Sequence, residues 1–412
     1  MSQTLIVVLG AGASISAGLP STASLTTLVD GAIPPWPSNE ERLPDLISDE
    51  FAVALRAAAK AHFRSPFFQQ GYQFENLLGV VEELEDYTRR QSFLSNVAGL
   101  AEHLAVLDEG IMVSAARQLI VDAIHRHVGE AASLPGVRRH SAAIQLRRLL
   151  QRLSRRFRLV VIDLNYDDIA DDANVRWSDG YESVFEDALL FDPTRWIRDV
   201  GDSSRHLLMH LHGSIRFGRL PNASVIINPE EPAKYASYEI AKEHVSGGAQ
   251  PAHADDRSYS ASYIISGTSK ASKMLYNMRP YGYYFSTLSQ IVPVSDALLC
   301  IGYGWGDPHI NTLLKEFIEE QPTAPTVVVT RRTGMEFSKN MQTGNEFLER
   351  LARVHFVPLT KWSDIASPGR KTSWAGGRLR LFHYGLPLSR HGENAVIKHL
   401  VGSDRTSRTH IW

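Results

Sequence analysis

A run of small residues directly follows an apolar segment near the start of the chain. The apolar segment is Thr4–Leu9, and the run after it is Gly10-Ala11-Gly12-Ala13-Ser14. A buried strand that ends in glycines lets an anion approach the backbone, and the N–H groups of a following helix point at that anion. The sequence predicts that this loop binds the phosphates of a nucleotide. The candidate cofactor-binding residues of this segment are Gly10, Ala11, Gly12, Ser14, Gly18 and Pro20.

The spacing of these glycines departs from the dinucleotide fingerprint of dehydrogenases. That fingerprint has its third glycine at the position of Ile15, whereas the next glycine here is Gly18. No strand ending in a ribose-binding acid follows about twenty residues later. Hydride transfer is therefore not implied, and a glycine-rich turn without a ligand is the alternative interpretation.

Three further polar motifs follow predicted strands, at the edge where open α/β sheets bind ligands. They are Asp163-Leu164-Asn165-Tyr166-Asp167-Asp168, His210-Leu211-His212-Gly213-Ser214 and Ile301-Gly302-Tyr303-Gly304-Trp305-Gly306-Asp307-Pro308. Each also has a purely structural explanation. The first is compatible with an Asx-turn and a helix cap, and the third with a bare turn. His212 is compatible with a strand-end histidine bonded to backbone.

Two groups of side chains in these motifs raise the question of a metal ion. His206, His210 and His212 share a strand face by parity, and a His-x-His pair can bind zinc. A third ligand in register is lacking, so no metal is expected. A cluster of carboxylates is interpreted either as a divalent cation site or as a solvated acidic loop. Its members are Asp163, Asp167, Asp168, Asp171 and Asp172.

Six apolar runs bounded by turn or polar residues predict buried strands. Helical segments lie between several of them, most clearly at 311–319 and 334–352. Strands that alternate with helices predict an α/β fold, a parallel Rossmann-like sheet with helices on both faces. The predicted strands are 5–9, 159–164, 207–211, 297–302, 326–330 and 354–358.

The interval between the first two predicted strands is too long for a single crossover. It begins with a proline-rich segment and continues with four segments of helical character. We therefore predict a large helical insertion at residues 37–157, within a Rossmann-like core formed by residues 1–36 and 158–360. Residues 361–412 are predicted as a C-terminal extension of uncertain structure, and residues 246–256 as a mobile loop.

The composition narrows the class of protein. The chain has 412 residues, and its net charge of −2 gives no global field that would attract nucleic acid or an anionic membrane. Its single cysteine, Cys300, excludes an intrachain disulfide and a four-cysteine zinc ribbon. The apolar run near the N-terminus is too short for a signal sequence or a membrane span. We expect a cytoplasmic protein that binds neither membranes nor, directly, nucleic acid.

Taken in order, the four motifs resemble those of the sirtuin family. The matching features are the Gly-Ala-Gly-x-Ser loop with its later Gly-x-Pro, the Asn-x-Asp, the His-Gly and the last glycine-rich turn. The phrases Asn-Tyr-Asp, Leu-His-Gly-Ser and Gly-Tyr-x-x-x-Asp are similar to those of sirtuin-like proteins of bacterial antiphage defence. The segment Phe-Glu-Asn-Leu-Leu at 74–78 is similar to a phrase of that branch too. The resemblance covers about residues 4–330.

This resemblance implies cleavage of the N-glycosidic bond between nicotinamide and ribose, with NAD as the substrate. The transition state of such a cleavage is oxocarbenium-like. In this interpretation Asn165 orients the attacking water or a ribose hydroxyl, and His212 accepts a proton. Asp167 anchors the loop or the ribose. The adenosine side would be lined by Gly302, Tyr303, Gly304 and Asp307.

The chain departs from the sirtuin deacylases at two places. Ser21-Thr22-Ala23-Ser24 stands where they carry Phe-Arg, and no paired zinc-binding cysteines follow the His-Gly. We therefore expect an NAD+ glycohydrolase that depletes NAD in antiphage defence. The alternatives are an NAD-dependent protein deacylase or ADP-ribosyltransferase, and a non-catalytic sensor of NAD or ADP-ribose.

Proteins of the resembling branch occur in assemblies, and some act with an ATPase of the HerA class. A homo-oligomer, or a complex with such an ATPase, is therefore expected. The predicted helix at 141–157 carries Arg148, Arg152 and Arg155 opposite an apolar face. This arginine face is interpreted either as an edge of the contact surface or as a solvated helix face.

Overall fold

The computed structural model describes ten ranges of the chain. The described residues are 3–32, 47–62, 73–90, 110–218, 231–245, 264, 279–330, 372–374, 378–382 and 385–402. Within these ranges, no helix is both long enough and apolar enough to cross a membrane. The predicted strand at 354–358, the predicted helix at 334–352 and the predicted loop at 246–256 lie outside them.

The strands of the described residues form one large and one small sheet. In chain order they are β1 (Thr4–Leu9), β2 (Arg158–Asp163), β3 (Trp177–Ser178), β4 (Tyr181–Phe185), β5 (Ala188–Phe191), β6 (His206–His210), β7 (Phe217–Gly218), β8 (Ala233–Tyr235), β9 (Ala297–Ile301), β10 (Thr326–Val329), β11 (Thr372–Trp374) and β12 (Leu379–Phe382).

The large sheet has the order β11-β12-β10-β9-β1-β2-β6-β3. Seven of its strands run parallel, and β11 pairs antiparallel at one edge. The chain moves outward from β1 to β2 and β6, and then returns to the other side of β1 for β9, β10 and β12. This is the strand order of a doubly wound dinucleotide-binding fold, and the predicted fold class is confirmed.

The central strands are apolar because both faces of the sheet are covered. From Leu5 to Leu9, every residue of β1 is buried, and so is every residue of β9. Such continuous burial removes the alternation of polar and apolar residues that a half-exposed strand would show. Five of the six predicted strands are present, each within one residue at its ends.

Helices fill the intervals between strands. They are α1 (Ala11–Ile15), α2 (Thr22–Ala32), α3 (Asp49–His62), α4 (Phe74–Arg90), α5 (Gly110–Ser133), α6 (Pro135–Arg138), α7 (Ser141–Ser154), α8 (Pro193–Gly201), α9 (Tyr238–Ala241), α10 (Tyr281–Ile291), α11 (Pro308–Glu320) and α12 (Arg390–Leu400). The helices α1 to α7 lie between β1 and β2 in the chain, and α3 to α7 fall within the predicted insertion at 37–157. The helix α5 packs against α2 and α4.

The segment that the sequence analysis set apart as a C-terminal extension supplies part of the large sheet. Its strand β12 pairs in parallel with β10, and α12 packs against β10 and β9. The same helix contacts the arginine face of α7. Arg148 and Arg152 both pair with the buried carboxylate of Glu393, at 2.7 Å for Arg148. Two of the three arginines therefore form ion pairs within the chain. Their charges offset the free-energy cost of burying the Glu393 carboxylate.

Candidate active site

The loops after β1 and β9 meet through their backbones. The N–H of Gly10 donates to the carbonyl of Ile301 at 3.0 Å, and the N–H of Gly12 donates to the carbonyl of Gly302 at 3.0 Å. A Cβ atom on Gly10 would lie 2.6 Å from the Cα of Tyr303, and one on Gly12 would lie 2.8 Å from the Cα of Gly302. These glycines allow a contact that a side chain would block. Their N–H groups are thus used within the fold, which leaves Ala11 and Ser14 as the other loop positions assigned to phosphates.

The loops after β2 and β6 also lie side by side, because their strands are neighbours. Asp163 is paired in register with His210 at the carboxyl ends of the two strands. Beyond the strands, the N–H of Ile215 donates to the carbonyl of Tyr166 at 2.7 Å. Asn165 and His212 follow these strand ends by two residues each, and both are buried. The sheet therefore brings the predicted Asn-x-Asp and His-Gly motifs to one place.

His212 connects the loop after β6 with two other loops. Its Nδ1 lies 3.0 Å from the carbonyl oxygen of Leu164, and its Nε2 lies 3.2 Å from Oδ2 of Asp307. A carbonyl only accepts, so Nδ1 carries a proton and donates it. A carboxylate oxygen also only accepts, so the second contact needs one proton between Nε2 and Oδ2. The structure therefore contains a buried His–Asp pair joined by one hydrogen bond.

Asp307 has a second role at the start of α11. Its Oδ1 accepts hydrogen bonds from the N–H groups of His309 and Ile310, at 3.0 and 3.3 Å. This is a helix N-cap, and it fixes the carboxylate so that Oδ2 faces His212. The sequence analysis assigned Asp307 to the adenosine side. The structure places its carboxylate on the predicted catalytic histidine.

Asp167 connects the loop after β2 with the glycine-rich loop. Ser14 donates its hydroxyl hydrogen to Oδ2 of Asp167 at 2.5 Å, and the N–H of Ile169 donates to Oδ1 at 3.0 Å. Burial raises the pKa of Asp167, while these two hydrogen bonds act in the opposite direction. The Ser14 hydroxyl and the Asp167 carboxylate, both assigned to ligand contacts by the sequence analysis, therefore bond to each other.

A buried chain of charges lies beneath the Asn165 loop. Nε2 of His210 is 2.9 Å from Oδ2 of Asp171, and Nζ of Lys234 is 2.8 Å from Oδ1 of the same carboxylate. Burial opposes the charge on His210, but Asp171 and Asp163 outweigh it and raise its pKa. Burial likewise opposes the charge of Asp171, but Lys234 and His210 hold its pKa well below the usual range. Ion pairing of this kind keeps charges in a site that water does not reach.

The remaining carboxylates of this loop are paired with guanidinium groups. Asp168 receives Nε of Arg216 at 2.8 Å and NH2 of Arg138 at 2.9 Å, and both arginines also contact Asp172. Asp168, Asp171 and Asp172 of the acidic cluster are therefore paired with cationic side chains of the fold, and Asp172 is also exposed to solvent. Among the described residues, no group of three or more His, Cys, Asp and Glu side chains could hold a metal ion. His206, His210 and His212 bond to different partners, since Nδ1 of His206 accepts the N–H of Leu159 at 3.1 Å.

The turn after β9 contains Trp305, a motif residue for which the sequence predicts no role. Trp305 is fully buried and has a φ of 57°, a left-handed conformation that is rare for a large side chain. The hydroxyl of Tyr303 lies 2.8 Å from Oδ1 of Asn311 and 3.1 Å from the carbonyl of Asp307. Tyr303 therefore braces the first turn of α11, and Gly304, half-buried, lies between the two aromatic residues. A strained turn packed in this way holds Asp307 in place.

The two remaining predicted ligand residues lie beside a cleft of about 520 Å³. Gly18, with a φ of 101°, and Pro20 line it together with residues of α2 and α5. Asn165, His212 and Asp307 are not among its lining residues. The structure thus groups the predicted residues into three neighbouring sets: the loops joined by glycine, the His212–Asp307 pair with Asn165, and the cleft beside Gly18.

The residues absent from the sequence-based site are those of the charge chain. Asp171, Lys234 and the register partner His210 come from three separate segments, and their pairing depends on tertiary contacts. Only the position of Asp163 and His210 at predicted strand ends could have indicated that these two side chains face each other.

Comparisons with known proteins give the following likenesses. No curated protein matches the chain significantly. Among solved structures, a Sir2 homologue mutant in complex with ADP ribose is 12% identical, covers 86% of this chain and 93% of its own, and has a TM-score of 0.35. A Sir2 homologue in complex with NAD is 12% identical, covers 86% of this chain and 90% of its own, and has a TM-score of 0.34. Residues 159–349, which begin in β2 and include Asn165, His212 and Asp307, match the family model of the SIR2-like domain.

Proposed function

We propose that the protein hydrolyses NAD+ to nicotinamide and ADP-ribose at the loops that carry Asn165, His212 and Asp307. The observation that carries the proposal is the buried His212–Asp307 pair, which lies at the carboxyl edge of the sheet beside Asn165. A fold of this strand order binds nucleotides at that edge. The match of residues 159–349 to the SIR2-like domain, and the NAD and ADP-ribose complexes of the Sir2 homologues, support NAD as the substrate.

Cleavage of the bond between nicotinamide and ribose needs no general acid. The pyridinium of NAD+ leaves as neutral nicotinamide, so both electrons of the C1′–N bond go to the ring and no proton is needed there. Water forms the new bond to C1′, and one of its protons must be removed. An oxocarbenium-like transition state needs negative charge nearby and a correctly placed water.

Each residue of the pair has a defined part in this scheme. The hydrogen bond from Nδ1 to the Leu164 carbonyl fixes the ring of His212 and leaves Nε2 for proton transfer. Asp307 faces that nitrogen and is itself held by the N-cap of α11. In this scheme the pair first releases the proton between Nε2 and Oδ2 to solvent, and the neutral imidazole beside the ionised Asp307 then accepts one proton of the attacking water.

Asn165 is suited to orient the water or a ribose hydroxyl. Its backbone N–H is bonded to Asp163, and within the described part of the chain its side-chain amide makes no hydrogen bond. An amide that both donates and accepts can bind a hydroxyl group and hold it in one orientation. Asn165 is buried within a loop that bonds to the His212 loop, so the two groups serve one site.

The test is the product analysis of NAD incubated with the purified protein. We expect nicotinamide and ADP-ribose in equal amounts from the wild type. Asn165→Ala and His212→Asn should each lower kcat by about 10²–10⁴-fold, since an oriented proton-transfer group is worth about that much. The variant His212→Asn retains a side-chain N–H that can reach the Leu164 carbonyl, which favours folding.

A matched control lies at the other end of the same strand. His206→Ala removes a histidine of β6 that bonds to Leu159 and not to the site, so it should leave kcat unchanged. Calorimetry with ADP-ribose should show binding by Asn165→Ala. Binding of NAD without hydrolysis by the wild type would favour a sensor, and transfer of ADP-ribose or removal of acyl groups from a peptide would favour the other enzyme classes.

We also propose that this activity depletes NAD in defence against phage, in the cytoplasm, within a homo-oligomer or with an ATPase of the HerA class. The support is the resemblance of the motifs to those of sirtuin-like proteins of bacterial antiphage defence. Light scattering of the protein, alone and with a co-expressed ATPase, measures assembly. Intracellular NAD after infection of cells carrying wild type or Asn165→Ala measures the role, and equal NAD in both strains would contradict it.

A further inference from the structure

We propose that Asp163 is a positioning residue for Asn165, held from behind by the buried chain His210–Asp171–Lys234. This inference rests on the proposed function, because it concerns how the loop of that site is held. It assigns a task to a carboxylate and a histidine that the proposed reaction does not use. Asp163 and His210 make no hydrogen bond with each other. In the proposed reaction neither of them contacts the substrate.

The first step is the geometry of the strand ends. Asp163 is the last residue of β2, and it is paired in register with His210, the last residue of β6. Side chains at paired positions of neighbouring parallel strands point to the same face of the sheet. Both side chains are almost completely buried there, with exposures of 1% and 0%. Two ionisable groups thus share one dry position directly below the loop that begins at Leu164.

The second step is the contact that leads to the site. Oδ1 of Asp163 accepts the backbone N–H of Asn165 at 3.0 Å. This bond spans the turn at which the chain leaves the sheet, so it sets the direction in which the peptide of Asn165 points. A buried N–H left without an acceptor is strongly disfavoured, and the loop would have to move to satisfy it.

The third step is the anchorage of Asp163 itself. Its Oδ2 lies 3.9 Å from Nδ1 of His210, too far for a hydrogen bond but close enough for a strong charge interaction at a buried site. Nδ1 is buried and makes no hydrogen bond within the described residues. On its other side His210 is held by Asp171, and Asp171 by Lys234 of β8. The small sheet is therefore connected to the Asn165 loop through a chain of buried ionisable side chains.

The directions of the pKa shifts agree with a coupled chain. Burial raises the pKa of Asp163 well above its usual range, and His210 opposes that rise. Lys234 and His210 hold the pKa of Asp171 well below its usual range, although burial opposes them. Asp171 is paired with both His210 and Lys234, so this part of the buried network is held in place, which is the property that a positioning element needs.

The experiment compares two substitutions of similar size at one position. Asp163→Asn keeps an oxygen that can accept the N–H of Asn165, whereas Asp163→Leu fills the same space without an acceptor. The control is Asp199→Asn, which alters an equally buried carboxylate that bonds to Ser178 and Arg195, away from the loop. All three variants are measured as the full chain, with thermal unfolding recorded for each.

Hydrogen exchange of the backbone amides at 165–169 tests the positioning without any enzyme activity. In Asp163→Leu we expect exchange of the Asn165 amide to rise roughly tenfold or more, because its hydrogen bond is lost. Asp163→Asn and Asp199→Asn should stay close to the wild type. Unchanged exchange in Asp163→Leu, or an equal rise in Asp163→Asn, would overturn the proposal whether or not the protein hydrolyses NAD.

Kinetics then test the connection to the reaction. A misplacement of about 1 Å can cost about 10²-fold in rate, so kcat of Asp163→Leu should fall by about that factor. KM should change little, and Asp163→Asn should recover most of kcat. A change in KM and a loss of stability with kcat unchanged would show a merely structural role and overturn the proposal. If the wild type itself is inactive, the proposed function fails, and the exchange data still decide the positioning.

Discussion

The carboxyl edge of the large sheet is built in two different ways on the two sides of β1. Between β1 and β9 the loops meet backbone to backbone, and Gly10, Gly12 and Gly302 make the close contact possible. Between β2 and β6 the loops are held by charged side chains, as in the pairs of His210 with Asp171 and Arg216 with Asp168. The loops after β1 and β9 are thus joined by close backbone packing, and the loops after β2 and β6 by charged pairs.

The two kinds of contact differ in how substitutions and pH changes disrupt them. A backbone contact has no spare volume, so it fails by steric overlap, and its failure does not depend on pH. A buried charge network fails by losing one partner or one proton, so its failure depends on pH. Asp307 and Ser14 join the two sides, and both therefore report on how they are connected.

The largest effect is expected where the glycine contact is closest. Gly302 has a φ of 64°, and a Cβ there would lie 2.1 Å from the backbone nitrogen of Ala13. Gly302→Ala should lower the free energy of unfolding by about 3 kcal/mol or prevent folding, since strain and overpacking add. Urea denaturation at two pH values measures this, and the loss should be the same at both.

The control for that substitution is Gly31→Ala. Gly31 lies in α2, and a Cβ there would meet nothing within 4 Å. Its free energy of unfolding should stay within about 1 kcal/mol of the wild type. Similar losses in the two variants would show that the loop contact is not specifically tight, and the comparison would break.

A pH-dependent effect is expected beside the charged side. His125 of α5 is buried, and burial lowers its pKa to about 4, against the raising effect of hydrogen bonds to the backbone of Ile215 and Phe217. The unfolded chain takes up this proton near the ordinary pKa of 6.5, before the folded chain does. The stability contributed by neutral His125 is therefore complete above about pH 6.5 and is lost as the pH falls toward 4, by roughly 3 kcal/mol.

Urea denaturation between pH 7 and pH 4.5 measures this loss against His125→Gln. The variant cannot be protonated, so its stability should fall less steeply with acid than that of the wild type. The other titrating groups are common to both chains and cancel in the difference. Parallel pH profiles would show that His125 does not titrate as its burial indicates.

A loss of activity without a loss of stability is expected at Asp307. Asp307→Asn keeps an oxygen for the N-cap of α11 but removes the charge that faces Nε2 of His212. We expect kcat for NAD hydrolysis to fall by about 10²-fold. Asp192→Asn is the matched control, because Asp192 caps α8 in the same way and bonds to Thr194 and Arg195 instead of a histidine. Equal activity of the two variants would remove Asp307 from the proposed mechanism.

The smallest effect is expected at the bond between the two sides. Ser14→Ala leaves the buried Oδ2 of Asp167 without its donor, which should cost about 1.5 kcal/mol at neutral pH. The bond with Ser14 lowers the pKa of Asp167, so its loss raises that pKa further. The cost should therefore be present above the folded pKa of Asp167 and disappear at low pH, where the carboxyl is protonated.

Ser16→Ala serves as the comparison for this last variant. Ser16 donates to the carbonyl of Gly12 at 2.8 Å and touches no carboxylate. Its loss should be smaller and independent of pH. Denaturation of both variants at pH 7 and pH 4 distinguishes them, and a pH-independent loss in Ser14→Ala would mean that Asp167 is already protonated at neutral pH.

The apolar strands and the motifs at their ends could be predicted because both are local in sequence. A run such as Leu5 to Leu9 has to be buried, and a polar residue after a parallel strand has to lie at the carboxyl edge. The partners of those polar residues could not be predicted in this way. Lys234 reaches Asp171 from the small sheet, and Glu393 reaches Arg148 from a helix near the C-terminus.

Hydrophobic periodicity and glycine placement act over a few residues, so the parallel sheet and the set of polar loops at one edge could be predicted from the sequence. Only the tertiary structure decided which loop side chains pair. His212 faces Asp307 across 95 positions of the chain, and Ser14 faces Asp167 across 153. Whether a carboxylate there binds a ligand, caps a helix or neutralises an arginine depends on its neighbours in space, because burial makes an unpaired charge costly and leaves pairing as the stable outcome.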